Sequence, residues 1–153
     1  MNSTLQRPSL PILVAEDDDD DRLLTQEAFT EIRCAHPLHF VQDGKELMDY
    51  LYHQADYAEI SQFPRPGLIL LDLNMPNKDG RRALTEIKAD ANLRHIPIVV
   101  LTTSKAEEDI LQSYALGVNS FIVKPVTFQK LVEIVHSLTQ YWFNIVTLPP
   151  EGH

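Results

Sequence analysis

An aspartate at the end of an apolar run is the first residue of this sequence suited to chemistry. Asp72 directly follows the aliphatic run LILL at residues 68–71, and Pro76 with the pair Asp79-Gly80 marks a turn beyond it. An unbroken run of this kind is typical of a strand that is buried on both faces of a parallel sheet. Open α/β sheets bind ligands at the carboxyl ends of their strands. Asp72 is therefore either a reactive carboxylate at such an edge or simply the cap of a turn.

Polar residues also follow three other apolar runs of the chain. Glu16 and Asp17 come after residues 12–15, Thr102 comes after residues 97–101, and Lys124 comes after residues 120–123. The carboxyl ends of parallel strands share one edge of the sheet, so these distant residues are predicted to meet there. This convergence favours a functional site over a set of unrelated turns.

The predicted cluster combines three carboxylates with a lysine and a hydroxyl group. Carboxylates brought together repel one another and need a cation or raised pKa values. A hard divalent ion held by oxygens matches Mg²⁺ better than Zn²⁺. Lys124 would offer a point charge, and Thr102 a donor, to an anion that arrives with the metal. This set describes a phosphoryl pocket with Asp72 as a possible covalent acceptor. Since the sequence has no glycine-rich phosphate loop, nucleotide binding is not expected.

The elements that must position these residues alternate along the chain. Strands are predicted at residues 11–15, 38–41, 68–71, 97–101 and 120–123, and helices at about 22–32, 45–57, 81–89, 105–116 and 127–145. This alternation predicts an α/β fold with a doubly wound five-stranded parallel sheet and five helices on its two faces. Asp19 to Asp21 are interpreted as a solvated first helical turn. The domain is expected at 11–146, between a mobile tail at 1–10 and a second tail at 147–153.

Composition narrows the class of protein. The chain has 153 residues, which favours one domain, and a net charge of −9, which argues against nucleic acid and suits basic or metal-ion partners. The single cysteine, Cys34, has no partner for an internal disulfide. The sequence contains no apolar run of membrane-spanning length and no signal core, so it predicts a cytoplasmic protein without a membrane partner.

Four ordered motifs resemble the receiver domain of two-component response regulators. They are ILVAED at 12–17, LLDLNMP at 70–76 with DG at 79–80, VLT at 100–102, and FIVKP at 121–125. The similarity covers about residues 10–140. It is greatest to the small single-domain regulators of cyanobacterial phytochromes, because of the long loop before the central strand and the ending YWF at 141–143 with TLP at 147–149. This resemblance implies a flavodoxin-like sheet with strand order 2-1-3-4-5.

The resemblance also implies a phosphoacceptor and its metal. Asp72 would accept phosphate from the phosphohistidine of a histidine kinase, here one of the phytochrome type. Asp17 and Asp72 would bind Mg²⁺ with the backbone carbonyl of Asn74 and, through water, Glu16. Glu16 stands where the family more often has aspartate, and its longer side chain puts the metal geometry in question.

The remaining site residues would respond to the phosphate. The resemblance implies that Lys124 pairs with the phosphate and that Thr102 bonds to it and moves with it. Phe121 would change rotamer when Thr102 shifts, although a plain core aromatic is the alternative interpretation. Phe121 has no hydroxyl group, so such a switch would act by packing alone. The Lys124-Pro125 peptide bond would be cis.

The last predicted helix carries more apolar surface than one sheet face requires. One stripe contains Leu131, Ile134, Leu138, Trp142 and Ile145, and a second contains Phe128, Val132, Val135, Phe143 and Val146. The first stripe suffices to cover the sheet. The second predicts a homodimer through the last helix, the fourth helix and the fifth strand, unless the tail covers it.

Two other functions fit parts of this pattern besides a signalling switch. A metal-dependent hydrolase of the haloacid dehalogenase kind carries a second acid two residues after its nucleophile, and here that residue is Asn74. A binding module that never turns over phosphate need not keep Asp17, Asp72, Thr102 and Lys124 together. The chain is therefore expected to be a switch and not an enzyme, with at most the slow self-dephosphorylation that the family implies. No output domain follows residue 146 in this sequence, so the signal is expected to pass through protein contacts.

Overall fold

A five-stranded parallel sheet forms the centre of the molecule. The computed structural model describes residues 10–103, 106–124 and 127–145, without the side chains of 144 and 145. The strands, in the order β2-β1-β3-β4-β5, are β1 Ile12–Ala15, β2 Leu38–Val41, β3 Leu68–Leu71, β4 Ile98–Thr102 and β5 Ser120–Val123. The α-helices are α1 Asp19–Glu31, α2 Gly44–Tyr52, α3 Gly80–Ala89, α4 Glu107–Leu116 and α5 Phe128–Thr139. The predicted fold and strand order are confirmed. Both predicted tails lie outside the described residues, except for Leu10.

The two central strands are buried along their whole length. All four residues of β1 and all four of β3 are buried, as their uninterrupted aliphatic runs predict. The two strands pair in parallel, with Ile12 opposite Leu68 and Ala15 opposite Leu71. This register places the residues that follow Ala15 and Leu71 side by side at the carboxyl edge.

Alternate strand residues point to opposite faces and build two hydrophobic cores. Leu13 and Ile69 face the core formed with α2 and α3, whereas Ile12, Leu68 and Leu70 face the core formed with α1 and α5. The sheet is therefore covered on both faces, which leaves its carboxyl edge as the place for polar chemistry. Within the described residues, no helix combines the length and apolar character needed to cross a bilayer.

The second helix is shorter than the sequence predicts. The apolar periodicity predicts a helix to residue 57, but α2 ends at Tyr52, and His53 adopts a left-handed conformation with φ of 57°. The imidazole Nε2 of His53 lies 2.9 Å from the carbonyl oxygen of Phe63, and the Tyr50 hydroxyl donates to the Pro64 carbonyl at 3.0 Å. Because of these contacts with the following loop, the helix does not continue past Tyr52. Residues 55–57 form a separate 3₁₀ turn.

The prediction of a second apolar stripe on the last helix, free to contact a partner, is wrong in part. Val135 was assigned to it but is fully buried with Leu131, and Val132 packs against the same core. Phe128 remains exposed, and Val146 lies outside the described residues. The predicted single helix also divides, because α5 ends at Thr139 and a π-helical segment follows at Gln140–Ile145.

Phe143 packs against the amino edge of the sheet, opposite the candidate site. Its ring stacks on His36 with centroids 3.8 Å apart, and the Nδ1 atom of His36 lies 3.1 Å from the Leu10 carbonyl. A Cβ atom on Gly67 would lie 2.7 Å from the Phe143 ring. Residue 67 is therefore glycine because the ring occupies the space of a side chain.

Candidate functional site

Three carboxylates meet at the carboxyl edge of the two central strands. Glu16 and Asp17 follow β1, Asp72 follows β3, and one oxygen of each lies within 4.8 Å of the others. Glu16 and Asp72 are each only 6% exposed, whereas Asp17 is open to solvent. An all-oxygen set with one solvent-facing ligand suits a hard divalent cation that keeps some of its water. These residues could thus hold a divalent metal ion.

Lys124 supplies the positive charge among these acids. It follows β5, whose ladder ends with the Lys124 backbone N–H donating to the Thr102 carbonyl at 2.7 Å. Its Nζ atom donates to Glu16 at 2.6 Å, to Asp21 at 2.9 Å and, more weakly, to Asp72 at 3.4 Å. Lys124, which is 108 positions from Glu16 in the sequence, therefore lies next to it at the site.

Burial and ion pairing shift the pKa values of this cluster in opposite directions. Burial raises the pKa of Glu16 to about 7, even though its ion pair with Lys124 favours the carboxylate. Burial also disfavours the ammonium of Lys124, but hydrogen bonds to Glu16 and Asp21 raise the pKa of the lysine above its ordinary value. The lysine consequently remains charged and compensates the buried acids.

The carboxylate of Asp72 is held on one side by two donors. The Thr102 hydroxyl donates to its Oδ1 atom at 2.7 Å, and the backbone N–H of Asn74 donates to the same atom at 2.9 Å. The other oxygen, Oδ2, faces Lys124. Thr102 is completely buried. Asp72 is thus oriented by the strand ends around it, and it is more than the cap of its own turn.

The turn after β3 needs the residues that the sequence supplies there. A Cβ atom on Gly80 would lie only 2.3 Å from the carbonyl oxygen of Asp72, so a glycine is required at this close approach. Asp79 caps α3 by accepting from two backbone N–H groups of its first turn. Asn77, with φ of 60°, donates from its side chain to Asp43 at 2.7 Å. These contacts fix the loop that carries Asn74.

One functional contact was not foreseen. Asp21 was interpreted as part of a solvated helix start, but its side chain, 38% exposed, binds Lys124. Asp18 caps α1 by accepting from the Asp21 backbone at 3.0 Å, which directs the first turn toward the site. Asp19 and Asp20 are exposed as expected. The available signal was the position of Asp21, in the first turn of a helix that follows an acidic strand end.

Phe121 lies on β5 beside the site, and its ring is half-buried. It packs against the core formed with α2 and α3, and its backbone N–H donates to the Tyr114 hydroxyl at 3.1 Å. This position is compatible with both interpretations of Phe121, so its rotamer switch stays a prediction. The predicted cis bond between Lys124 and Pro125 lies outside the described residues.

The fold and the site define a receiver domain. Residues 12–136 match the response regulator receiver domain family, and the chain belongs to this family.

Its similar proteins include phytochrome regulators. The chain is 42% identical over 142 residues to the response regulator Rcp1 of Synechocystis sp., covering 93% of this chain and 95% of that protein. The solved structure of the phosphorylated cyanobacterial phytochrome response regulator RcpA is 43% identical, has a TM-score of 0.84, and matches 94% of this chain and 100% of its own. The Mn²⁺-bound form of Rcp1 is 42% identical, with a TM-score of 0.81 and coverage of 92% and 99%. The predicted family and the predicted similarity to cyanobacterial phytochrome regulators are confirmed.

Proposed function

We propose that this protein accepts a phosphoryl group from a histidine kinase on Asp72, in a Mg²⁺-dependent reaction, and signals by a changed surface. The observation that supports this most is the environment of Asp72. Its buried carboxylate is oriented by Thr102 and Asn74 and lies beside Lys124. Two further carboxylates within 4.8 Å complete a divalent-cation site. A nucleophile, a metal site and a counter-charge therefore converge on one atom group.

The chemistry follows from these positions. A carboxylate oxygen of Asp72 attacks the phosphorus of the phosphohistidine, the new O–P bond forms as the N–P bond breaks, and the imidazole nitrogen keeps that electron pair and takes up a proton. Mg²⁺, when bound, would supply positive charge to the carboxylates and to the phosphoryl oxygens. Asp17, Asp72, the Asn74 carbonyl and, through water, Glu16 are the residues that would hold it. A divalent ion would offset negative charge that Lys124 alone leaves in this cluster.

Lys124 and Thr102 would then transfer their contacts to the new group. The lysine, which binds Glu16 and Asp21 in this structure, would pair with the phosphoryl oxygens. The Thr102 hydroxyl would donate to the phosphoryl group in place of Asp72. Phe121 would follow Thr102 by packing, and this repacking is the proposed change of surface.

Labelling with a small phosphodonor tests the proposal. Acetyl phosphate with Mg²⁺ should add one phosphate, seen by intact mass, and EDTA should prevent the addition. Asp72→Asn should abolish labelling, whereas Asp56→Asn, which changes an exposed acid of the 3₁₀ turn, should leave it intact. Labelling that persists in Asp72→Asn would remove the role assigned to Asp72.

The proposed kinase is of the phytochrome type. The support is that RcpA, 43% identical over nearly the whole chain, is described as a cyanobacterial phytochrome response regulator. Phosphotransfer from purified phosphorylated kinases should therefore be fastest with a phytochrome-type kinase. Equal rates from unrelated kinases would contradict this choice of partner.

We propose a switch and not a hydrolase. The residue two positions after Asp72 is Asn74, whose side-chain amide donates to Thr103 at 3.1 Å and does not titrate as a general acid. The expected turnover is only a slow loss of phosphate from Asp72. Steady multiple-turnover hydrolysis of acetyl phosphate at enzymatic rates would contradict this.

A homodimer through α4, β5 and α5 is part of the proposal. Leu111 and Tyr114 of α4 are exposed, as is Tyr141 just beyond α5, and such apolar surface is typical of an interface. The buried Val135 has no part in this surface. Sedimentation at micromolar concentration should show a dimer in at least one of the two states, phosphorylated or unphosphorylated. Leu111→Asp should convert this dimer to a monomer. A wild-type monomer in both states would refute the dimer.

The proposed receiver unit runs from residue 11 to residue 146, in keeping with the matched span 12–136. We place the protein in the cytoplasm. Cys34, the single cysteine of the sequence, is a free thiol, which suits a reducing compartment.

A further inference from the structure

Arg81 joins the first turn of α3 to the first turn of α4. Its guanidinium forms a two-pronged pair with Asp109, with Nε 2.8 Å from Oδ1 and Nη2 2.7 Å from Oδ2. Asp109 is only 7% exposed. A forked pair of this geometry is strong and orients both partners. A cation in the first turn of a helix is otherwise disfavoured by the helix dipole, so the position of Arg81 calls for such a compensating contact.

The same guanidinium also holds the loop that follows Asp72. Nη1 of Arg81 lies 3.3 Å from the Leu73 carbonyl, and Nη2 lies 3.2 Å from Oδ1 of Asn74. Asn74 in turn donates from its side chain to Thr103 at 3.1 Å and, at the limit of 3.5 Å, to the Thr102 hydroxyl.

A continuous hydrogen-bonded path therefore links the acceptor to α4. Thr102 donates to Asp72, the Asn74 amide approaches Thr102, and Arg81 binds both Asn74 and Asp109. Beyond Thr102 this path separates from the one through Phe121, because it runs through the β3–α3 loop and not through β5.

Helix α4 is suited to receive such a signal. Its buried residues are Asp109 and Ser113, both polar, while Leu111 and Tyr114 are exposed. A helix whose buried positions are polar depends on specific hydrogen bonds more than on apolar burial. Such an element can open at lower free energy than one locked in the core.

We infer that Arg81 is a positioning residue that fixes Asn74 beside the phosphoacceptor and couples this loop to α4 through Asp109. The inference rests on the proposed phosphorylation of Asp72. When Thr102 turns to a phosphoryl group, Asn74 loses its neighbour, the forked pair shifts, and the first turn of α4 moves with it. Coupling is reciprocal, so a partner that binds α4 also changes the site.

The test measures backbone amide exchange over residues 106–116, with and without beryllofluoride and Mg²⁺, a stable mimic of the phosphoryl group. Wild type should change its α4 exchange on addition of the mimic. In Arg81→Gln the exchange without mimic should rise about fivefold or more, and the further change on addition should disappear. Arg82→Gln, on the exposed side of the same helix turn, is the matched control and should behave as wild type.

A second variant separates coupling from simple damage. Arg81→Gln leaves the buried charge of Asp109 without the guanidinium, whereas Arg81→Gln with Asp109→Asn replaces both charges by amides. Loss of the α4 response in both variants supports the inference. A full response in the double variant, or the same loss in Arg82→Gln, overturns it. Failure of wild type to be labelled on Asp72 would instead overturn the proposed function, and this inference with it.

Discussion

The lysine among the acids gives the most demanding prediction. Lys124→Met keeps an unbranched side chain, shorter by one atom, and removes its charge. Nζ lies 2.6 Å from Glu16 and 3.4 Å from Asp72, which are both buried, and 2.9 Å from the more exposed Asp21. Removing one partner of a buried ion pair costs about 3–5 kcal/mol.

The lower end of that range is expected. Burial already raises the pKa of Glu16 to about 7, and loss of the lysine raises it further. Glu16 would therefore take up a proton and would not remain as a buried, uncompensated charge. We expect Lys124→Met to lose about 3 kcal/mol of unfolding free energy in EDTA, measured by urea unfolding. The loss should be larger above pH 7 than below it.

Added Mg²⁺ should stabilise Lys124→Met more than it stabilises wild type. The metal and the lysine compensate the same carboxylates, so the variant should bind Mg²⁺ more tightly than wild type. Each tenfold gain in affinity adds about 1.4 kcal/mol of stabilisation at saturating metal.

Lys130→Met is the matched control for this substitution. Lys130 lies on α5, its side chain is 63% exposed, and its Nζ atom lies 3.9 Å from Oε1 of Glu133. Exposed pairs of this kind contribute about 0–1 kcal/mol. The reasoning fails if Lys124→Met loses no more than Lys130→Met, or if Mg²⁺ stabilises Lys124→Met less than wild type.

Three further predictions concern single contacts. Gly80→Ala should cost about 1–3 kcal/mol in urea unfolding and lower labelling, because its Cβ would lie 2.3 Å from the Asp72 carbonyl; an unchanged midpoint would contradict this. In EDTA the folded pKa of Glu16, about 7, exceeds its ordinary 4.5, so its contribution to stability is lost as pH rises between these values. Glu16→Gln should remove this slope of at most about 1.4 kcal/mol per pH unit, and an identical slope would refute the assignment. Tyr50→Phe loses the hydrogen bond to Pro64 and should cost about 1 kcal/mol, with faster amide exchange in residues 53–67; unaltered exchange there would exclude that role.

The sheet was predictable because burial leaves a simple record in sequence. The runs at 12–15 and 68–71 are aliphatic throughout, since both faces of β1 and β3 are covered. Once such strands are parallel, Asp72 and Lys124 must lie at one edge. The candidate site therefore followed from element order alone.

Contacts between side chains of distant elements left no comparable record. The end of α2 depends on the loop carrying Phe63, so local helical periodicity extended the helix too far. The pair of Arg81 and Asp109 joins two helices across 28 positions, and neither residue type is unusual there on its own except for the cation in a first turn. Asp21 resembled any acidic helix start until the position of Lys124 was known.

The ring of Phe143 over Gly67 has a thermodynamic consequence. It stabilises the amino edge of the sheet by apolar contact. This stabilisation weakens on cooling and changes little with dilute salt. The opposite, carboxyl edge is stabilised by interactions between charged side chains. Dissolved salt screens these interactions, and a divalent cation would rearrange them. A change in ionic conditions can thus weaken the contacts at the carboxyl edge while those at the amino edge persist. The charges at the site can therefore rearrange while the domain stays folded.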